Sequence, residues 1–103
     1  VLINGVCYST GDIFPEIMKQ ISTVTLVGDT TGGGSSGSTS SAPAEYELPS
    51  GKRIFVGTTD WRGYNGLPLE WIGCPPDILV EQTESDIEAG IDKQLEYSIN
   101  LLK

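Results

Sequence analysis

The sequence predicts an α/β domain built on a parallel sheet, and three observations carry that expectation. Val1-Leu2-Ile3 is a short, continuously apolar run, as a strand covered on both faces requires. Ile13, Phe14, Ile17, Met18 and Ile21 then recur at helical spacing. Val24 to Val27 is a second apolar run, closed by Gly28. Strand, helix and strand in such quick succession read as a crossover between parallel neighbours.

The first strand ends in a turn opened by Asn4-Gly5, and Cys7-Tyr8 leads to Ser9 just ahead of the helix. Pro15 is tolerable there only because it lies near the helix start. Residues 32–43 are all Gly, Ser, Thr, Ala or Pro, which predicts a flexible exposed loop. Glu45 to Leu48 and Arg53 to Val56 flank Pro49-Ser50-Gly51-Lys52, a hairpin signal. Gly57 to Leu69 reads as an irregular loop. Pro75-Pro76-Asp77 punctuates before a third apolar strand, Ile78 to Val80. Asp92 can cap a final helix with Leu95, Ile99 and Leu102 as its apolar positions. A parallel strand at Val1 needs neighbours on both sides, so partner strands are expected from sequence outside these residues.

The 103 residues, 38% of them hydrophobic, suffice for one small domain. Fourteen acids against six bases give a net charge of −8, which repels phosphate backbones and anionic headgroups. Nucleic-acid and membrane-surface roles are therefore excluded from the expectation. No apolar run approaches the roughly 20 residues needed to span a bilayer. The acids between Asp77 and Glu96 read as a solvated face on the C-terminal segment. With no His and no CxxC, no metal site is expected, and no cofactor is implied. Cys7 and Cys74 are read as buried free thiols, with a disulfide left open.

Ser9 carries the chemistry worth weighing. Three residues ahead of Asp12, it resembles half of a capping box and can simply cap the helix. The same position beside free N–H groups and the positive helix end would also suit a nucleophile whose oxyanion those donors stabilise. A serine nucleophile needs a base, and this sequence has no His. The lysines are Lys19, Lys52, Lys93 and Lys103, and Lys19 lies about 15 Å down the helix by its rise. A base for Ser9 is therefore expected from elsewhere. The tract from Gly28 to Gly34 lacks the GK[ST] ending of a phosphate loop, leaving a plain turn or a backbone contact with a peptide. Trp61, Tyr64 and Trp71 could line a binding surface or only pack locally.

Taken in order, these segments resemble the tail-specific, or C-terminal processing, serine peptidases. VLINGVCYSTGDIFPEIMKQISTVTLVGDTTGGGSSG is similar to that family's nucleophile region: strand, Ser three residues before an acid, helix, strand, then Gly-Asp-x-Thr-x-Gly. YELPSGKRIFV is similar to its hairpin, EWIGCPPDILV to its Pro-Asp-Ile ending, and DKQLEYSINLL to its closing helix. The resemblance implies the αβ spiral shared with Clp proteases and crotonases, of which residues 1–103 would be the C-terminal part. It implies Ser9 as nucleophile and the Thr10 N–H as one side of an oxyanion hole.

One departure matters. Many members place a general-base Lys right after the Gly pair, where this sequence has Gly34. The resemblance therefore points to the tricorn core-like branch. Its proteolytic members use a His from an earlier segment, oriented through a second Ser, with a Glu contributed after the nucleophile. Glu70 best matches that Glu. The expectation is a serine endopeptidase whose His and second Ser lie upstream of Val1, acting on peptide or protein substrates, in a periplasmic or other extracytoplasmic location. The N-terminal remainder of the same protein is its expected partner, and these 103 residues alone are expected to show no hydrolysis. Two alternatives remain: an inactive relative that binds peptide ends or small hydrophobic ligands, and an interaction domain in which Ser9 is only a cap.

Overall fold

The computed structural model describes residues 1–35 and 45–103. Its centre is the crossover that the apolar runs predict. Strand β1 (Leu2–Ile3), helix α1 (Thr10–Met18) and strand β2 (Val27–Gly28) form a parallel unit, with Leu2 beside Val27 and Ile3 beside Gly28. The hairpin strands β3 (Glu45–Glu47) and β4 (Arg53–Phe55) pair antiparallel around a turn closed by Gly51. Strand β5 (Ile78–Leu79) joins the other edge of β2, giving a parallel sheet in the order β1-β2-β5. Two helices follow, α2 (Glu84–Glu88) and α3 (Lys93–Leu101), and α3 packs on β1 and β2. No helix among the described residues is long and apolar enough to cross a membrane.

The core is small. Ile3, Leu26 and Cys74 form its buried centre, with Met18 and Val24 packed against them. β2 is the central strand, and Asp77 braces it by accepting from the Leu26 N–H at 2.8 Å. The Lys19 ammonium lies 3.9 Å from the other Asp77 oxygen, tying the end of α1 to the approach to β5. Gly28 allows the sheet to close. Its φ is +131°, and a Cβ there would lie 2.0 Å from the Ile3 carbonyl oxygen on β1.

Several expectations are corrected. Three of the five apolar side chains expected on the first helix face do not reach the core: Phe14, Ile17 and Ile21 are exposed while Met18 packs inward, whereas Asp12, Pro15 and Glu16 are buried. In α3, Leu95, Ile99 and Leu102 are likewise exposed, and the buried residue is Gln94, which donates to the Val80 carbonyl at 2.9 Å. In both helices a polar residue that satisfies backbone groups takes the inward face, which hydrophobic spacing does not register. Of the loop expected over 32–43, residues 36–43 lie outside the described residues. Residues 32–35 are no exposed coil, since Gly33 and Ser35 are buried. The C-terminal acids are more than a solvated face. Asp92 caps α3 by accepting from the Leu95 N–H at 2.9 Å, and Asp77 braces β2.

Helix α2 was not expected, and a capping box makes it. The Thr83 side chain accepts from the Asp86 N–H, while the Asp86 carboxylate accepts from the Thr83 N–H at 3.0 Å. The Lys93 ammonium, 2.8 Å from Asp86, together with the Thr83 donors, lowers the Asp86 carboxyl to about 2.

Two measurements test these supports. Gly28→Ala in the full-length protein is expected to cost about 3–5 kcal/mol in urea unfolding, because it combines a left-handed backbone with a clash against β1. A depressed native pKa places the stabilising ionised form of Asp86 at full strength above the ordinary carboxylate range. That contribution is lost as pH falls through about 2. Carboxyl carbon titration by NMR should give that midpoint, and Lys93→Met should move it upward.

Candidate active site

Ser9 ends the turn after β1 and stands immediately before α1, but it does not cap the helix. Its φ and ψ are 57° and −117°, and its side chain makes no capping bond. A residue at this position ordinarily adopts an extended backbone and turns its hydroxyl onto the first N–H groups. The capping-box reading of Ser9 and Asp12 is thus overturned. Ser9 is exposed, and it holds a backbone conformation that non-glycine residues rarely take, at a cost on the order of 1–3 kcal/mol.

The surrounding backbone imposes this conformation. The Ser9 N–H donates to the Gly34 carbonyl at 3.0 Å, and the Ser9 carbonyl accepts from Asp12 and Ile13. Thr10 is the first residue of α1, and its N–H has no acceptor among the described residues. That open donor sits at the positive end of the helix, directly beside the serine.

Asp12 serves a different purpose from the expected cap. Fully buried, it accepts from the Gly33 N–H at 2.9 Å and, with its other oxygen, from the Gly34 N–H at 3.0 Å. The carbonyls of the same two glycines also have partners. Gly34 accepts from Ser9, and Gly33 accepts from the Trp71 N–H at 2.7 Å. Gly33 has a φ of +67°, and a Cβ there would come within 3.0 Å of the backbone of Leu69, Ile72 and Gly73. The Gly-rich turn is therefore clasped between the start of α1 and the segment from Leu69 to Gly73.

That clasp fixes Glu70. The residue is half-buried between Leu69, which is buried, and Trp71, whose N–H is held by Gly33. Trp71 has the second positive φ among the described non-glycine residues, +65°, and the residue is 91% exposed. The expected local packing of Trp71 is thus not found. The backbone at Ser9 and at Trp71, next to Glu70, is thus bonded to neighbouring glycines, through the Gly34 and Gly33 carbonyls.

Asp12 as a buried acceptor is not legible locally; its only signal is an acid in the first turn of a helix together with the Gly32-Gly33-Gly34 run beyond the next strand. Tyr8 was also missed. Its ring lies against the glycines, so a Cβ on Gly34 would come 2.8 Å from Tyr8 Cδ1. None of the described residues forms a group of three or more His, Cys, Asp or Glu able to hold a metal ion.

Comparison with known proteins bears on this arrangement. The sequence pattern of the family described as peptidase family S41 matches residues 1–80. A crystal structure of a candidate peptidase from Parabacteroides merdae superposes with a TM-score of 0.80 at 35% identity, over 99% of this chain and 30% of that one. The tricorn protease superposes with a TM-score of 0.73 at 30% identity, over 98% of this chain and 10% of that one. The chain thus spans less than a third of the length of these two structures. No curated protein matches it. The shared architecture is the α/β arrangement expected for part of a Clp- and crotonase-like domain.

A free thiol packed below the clasp offers a check on this geometry. Burial, reinforced by the neighbouring Glu16 carboxylate, raises the Cys74 thiol to about 12, and its Sγ donates to the Pro75 carbonyl at 3.8 Å. Iodoacetamide at pH 8 should therefore leave Cys74 unmodified in the folded full-length protein and alkylate it once urea unfolds the chain, as read by mass spectrometry.

Proposed function

Because the chain belongs to peptidase family S41, we propose that the complete protein hydrolyses peptide bonds with Ser9 as nucleophile. One observation carries the reading. Ser9 is held exposed at a helix start in a strained backbone, with its hydroxyl not spent on capping. Strain of this kind persists only where surrounding bonds over-determine it, and it clusters at working sites.

In the proposed reaction the Ser9 Oγ attacks the substrate carbonyl carbon while its proton passes to a base. No His exists in this sequence, and Lys19 is engaged near Asp77. The base is therefore supplied from outside these residues, and a His oriented by a second Ser fits the tricorn core-like pattern. The tetrahedral oxyanion then develops beside the Thr10 N–H, whose lack of an acceptor leaves it available. Collapse of this intermediate expels the amine, which takes the proton back from the base. Water then releases the acyl group from Ser9. Glu70, presented by the clasped segment, orients the base and favours its charged form. The reading is thus of a serine endopeptidase acting on peptide or protein substrates, with the rest of the protein supplying the base and a second oxyanion donor.

Reaction of the full-length protein with a fluorophosphonate probe separates this reading from binding without cleavage, because only an activated serine is labelled. The adduct is expected on Ser9, and its absence would remove the assignment. Ser9→Ala should abolish peptide hydrolysis with the fold intact. Glu70→Gln should lower kcat by about 100-fold or more, as loss of an orienting carboxylate does.

A further inference from the structure

We propose that Asp12 is a positioning residue of this site, aligning Ser9 and the Glu70 segment through the Gly33–Gly34 backbone. The inference rests on the peptidase reading above and adds to it a residue that touches neither substrate nor base.

Four bonds carry it. Asp12 takes both glycine N–H groups, at 2.9 and 3.0 Å, and the two glycine carbonyls take Ser9 at 3.0 Å and Trp71 at 2.7 Å. Gly34 thus donates to Asp12 and accepts from Ser9. This closes a ring through the first turn of α1 that fixes the Ser9 backbone from both ends. Gly33 does the same for the other branch, donating to Asp12 and accepting from the residue next to Glu70. One carboxylate therefore sets two reacting groups in register.

The chemistry of the carboxylate suits this task. Asp12 is fully buried, and no salt bridge joins it to a cation among the described residues. Two backbone donors and the N-terminal end of α1 support its charge instead. Such a group tolerates little rearrangement, because either glycine turning away would leave a buried oxygen unpaired. A carboxylate is also the side chain that can take two N–H donors at once with a flat, rigid end. An amide of the same shape would aim its NH2 at one of them.

The test uses Asp12→Asn in the full-length protein, with Asp77→Asn as a stability control. Asp77 braces β2 through Leu26 and belongs to no part of the proposed machinery. The proposal expects Asp12→Asn to lower kcat by about 100-fold with KM nearly unchanged, as a small misplacement of reacting groups does. Fluorophosphonate labelling of Ser9, corrected for folded fraction, should slow in parallel. Asp77→Asn should lower Tm and leave labelling per folded molecule unchanged. A folded Asp12→Asn protein with wild-type kcat overturns the proposal. So does a loss that follows Tm equally in both variants. If Asp12→Asn does not fold, Gly33→Ala disturbs the same hub from the loop side, and wild-type turnover in that variant is equally fatal. A wild-type protein that neither labels nor hydrolyses removes the peptidase reading together with this one. A reactive wild type with unaffected variants removes only the role of Asp12.

Discussion

The buried carboxylate of Asp12 is the constraint on which the local structure depends. It lies at zero exposure on the first turn of α1 and reaches across the chain to two glycine amides rather than to its own helix. Burying a charge is unfavourable unless donors replace its water, so the glycines must stay where the carboxylate needs them. Their carbonyls are then committed, and those carbonyls hold Ser9 and Trp71. Both non-glycine residues with positive φ among the described residues are therefore bonded to the same pair of glycines. Strain at Ser9 and Trp71 and burial at Asp12 are linked features of one hub.

Elements made by local pattern were legible in the sequence. β1, α1 and β2, the hairpin, β5 and the Asp92-capped α3 all follow from apolar runs, turn residues and a cap. Helix α2 escaped because its one large apolar residue, Ile87, is exposed, leaving no periodicity to find. Its signal was the Thr83–Asp86 box alone. The site was legible only as an ordered set of motifs. Nothing local in Ser9-Thr10-Gly11-Asp12 says whether the hydroxyl turns onto the helix or away from it. That choice is made by Gly34, more than twenty residues on. Long-range backbone bonds of this sort leave no periodic trace in composition.

Apolar spacing also failed as a guide to which helix face turns inward. Pro15 shows why in α1: it has no N–H to give, so burying that face leaves no donor unpaired there, while Asp12 and Glu16 beside it accept from backbone N–H groups elsewhere in the chain. Glu16 reaches the Tyr64 N–H at 3.3 Å and so steadies the irregular loop that leads to Glu70. Phe14, Ile17 and Ile21 are left as an exposed apolar stripe. The described residues thus bury their acceptors more thoroughly than their hydrocarbons, and what holds the site together is chiefly a set of backbone hydrogen bonds.

Tyr8 and Gly34 fit against each other beside the serine. The ring of Tyr8 occupies the volume into which a side chain at position 34 would begin. Any side chain placed there would meet that ring at its first carbon, 2.8 Å from Tyr8 Cδ1, so the glycine and the ring fit only together. Tyr8 is itself 56% exposed, so a larger residue at position 34 would have to turn that ring further into solvent. The residue preceding the serine thereby limits how much volume the far side of the glycine turn can hold.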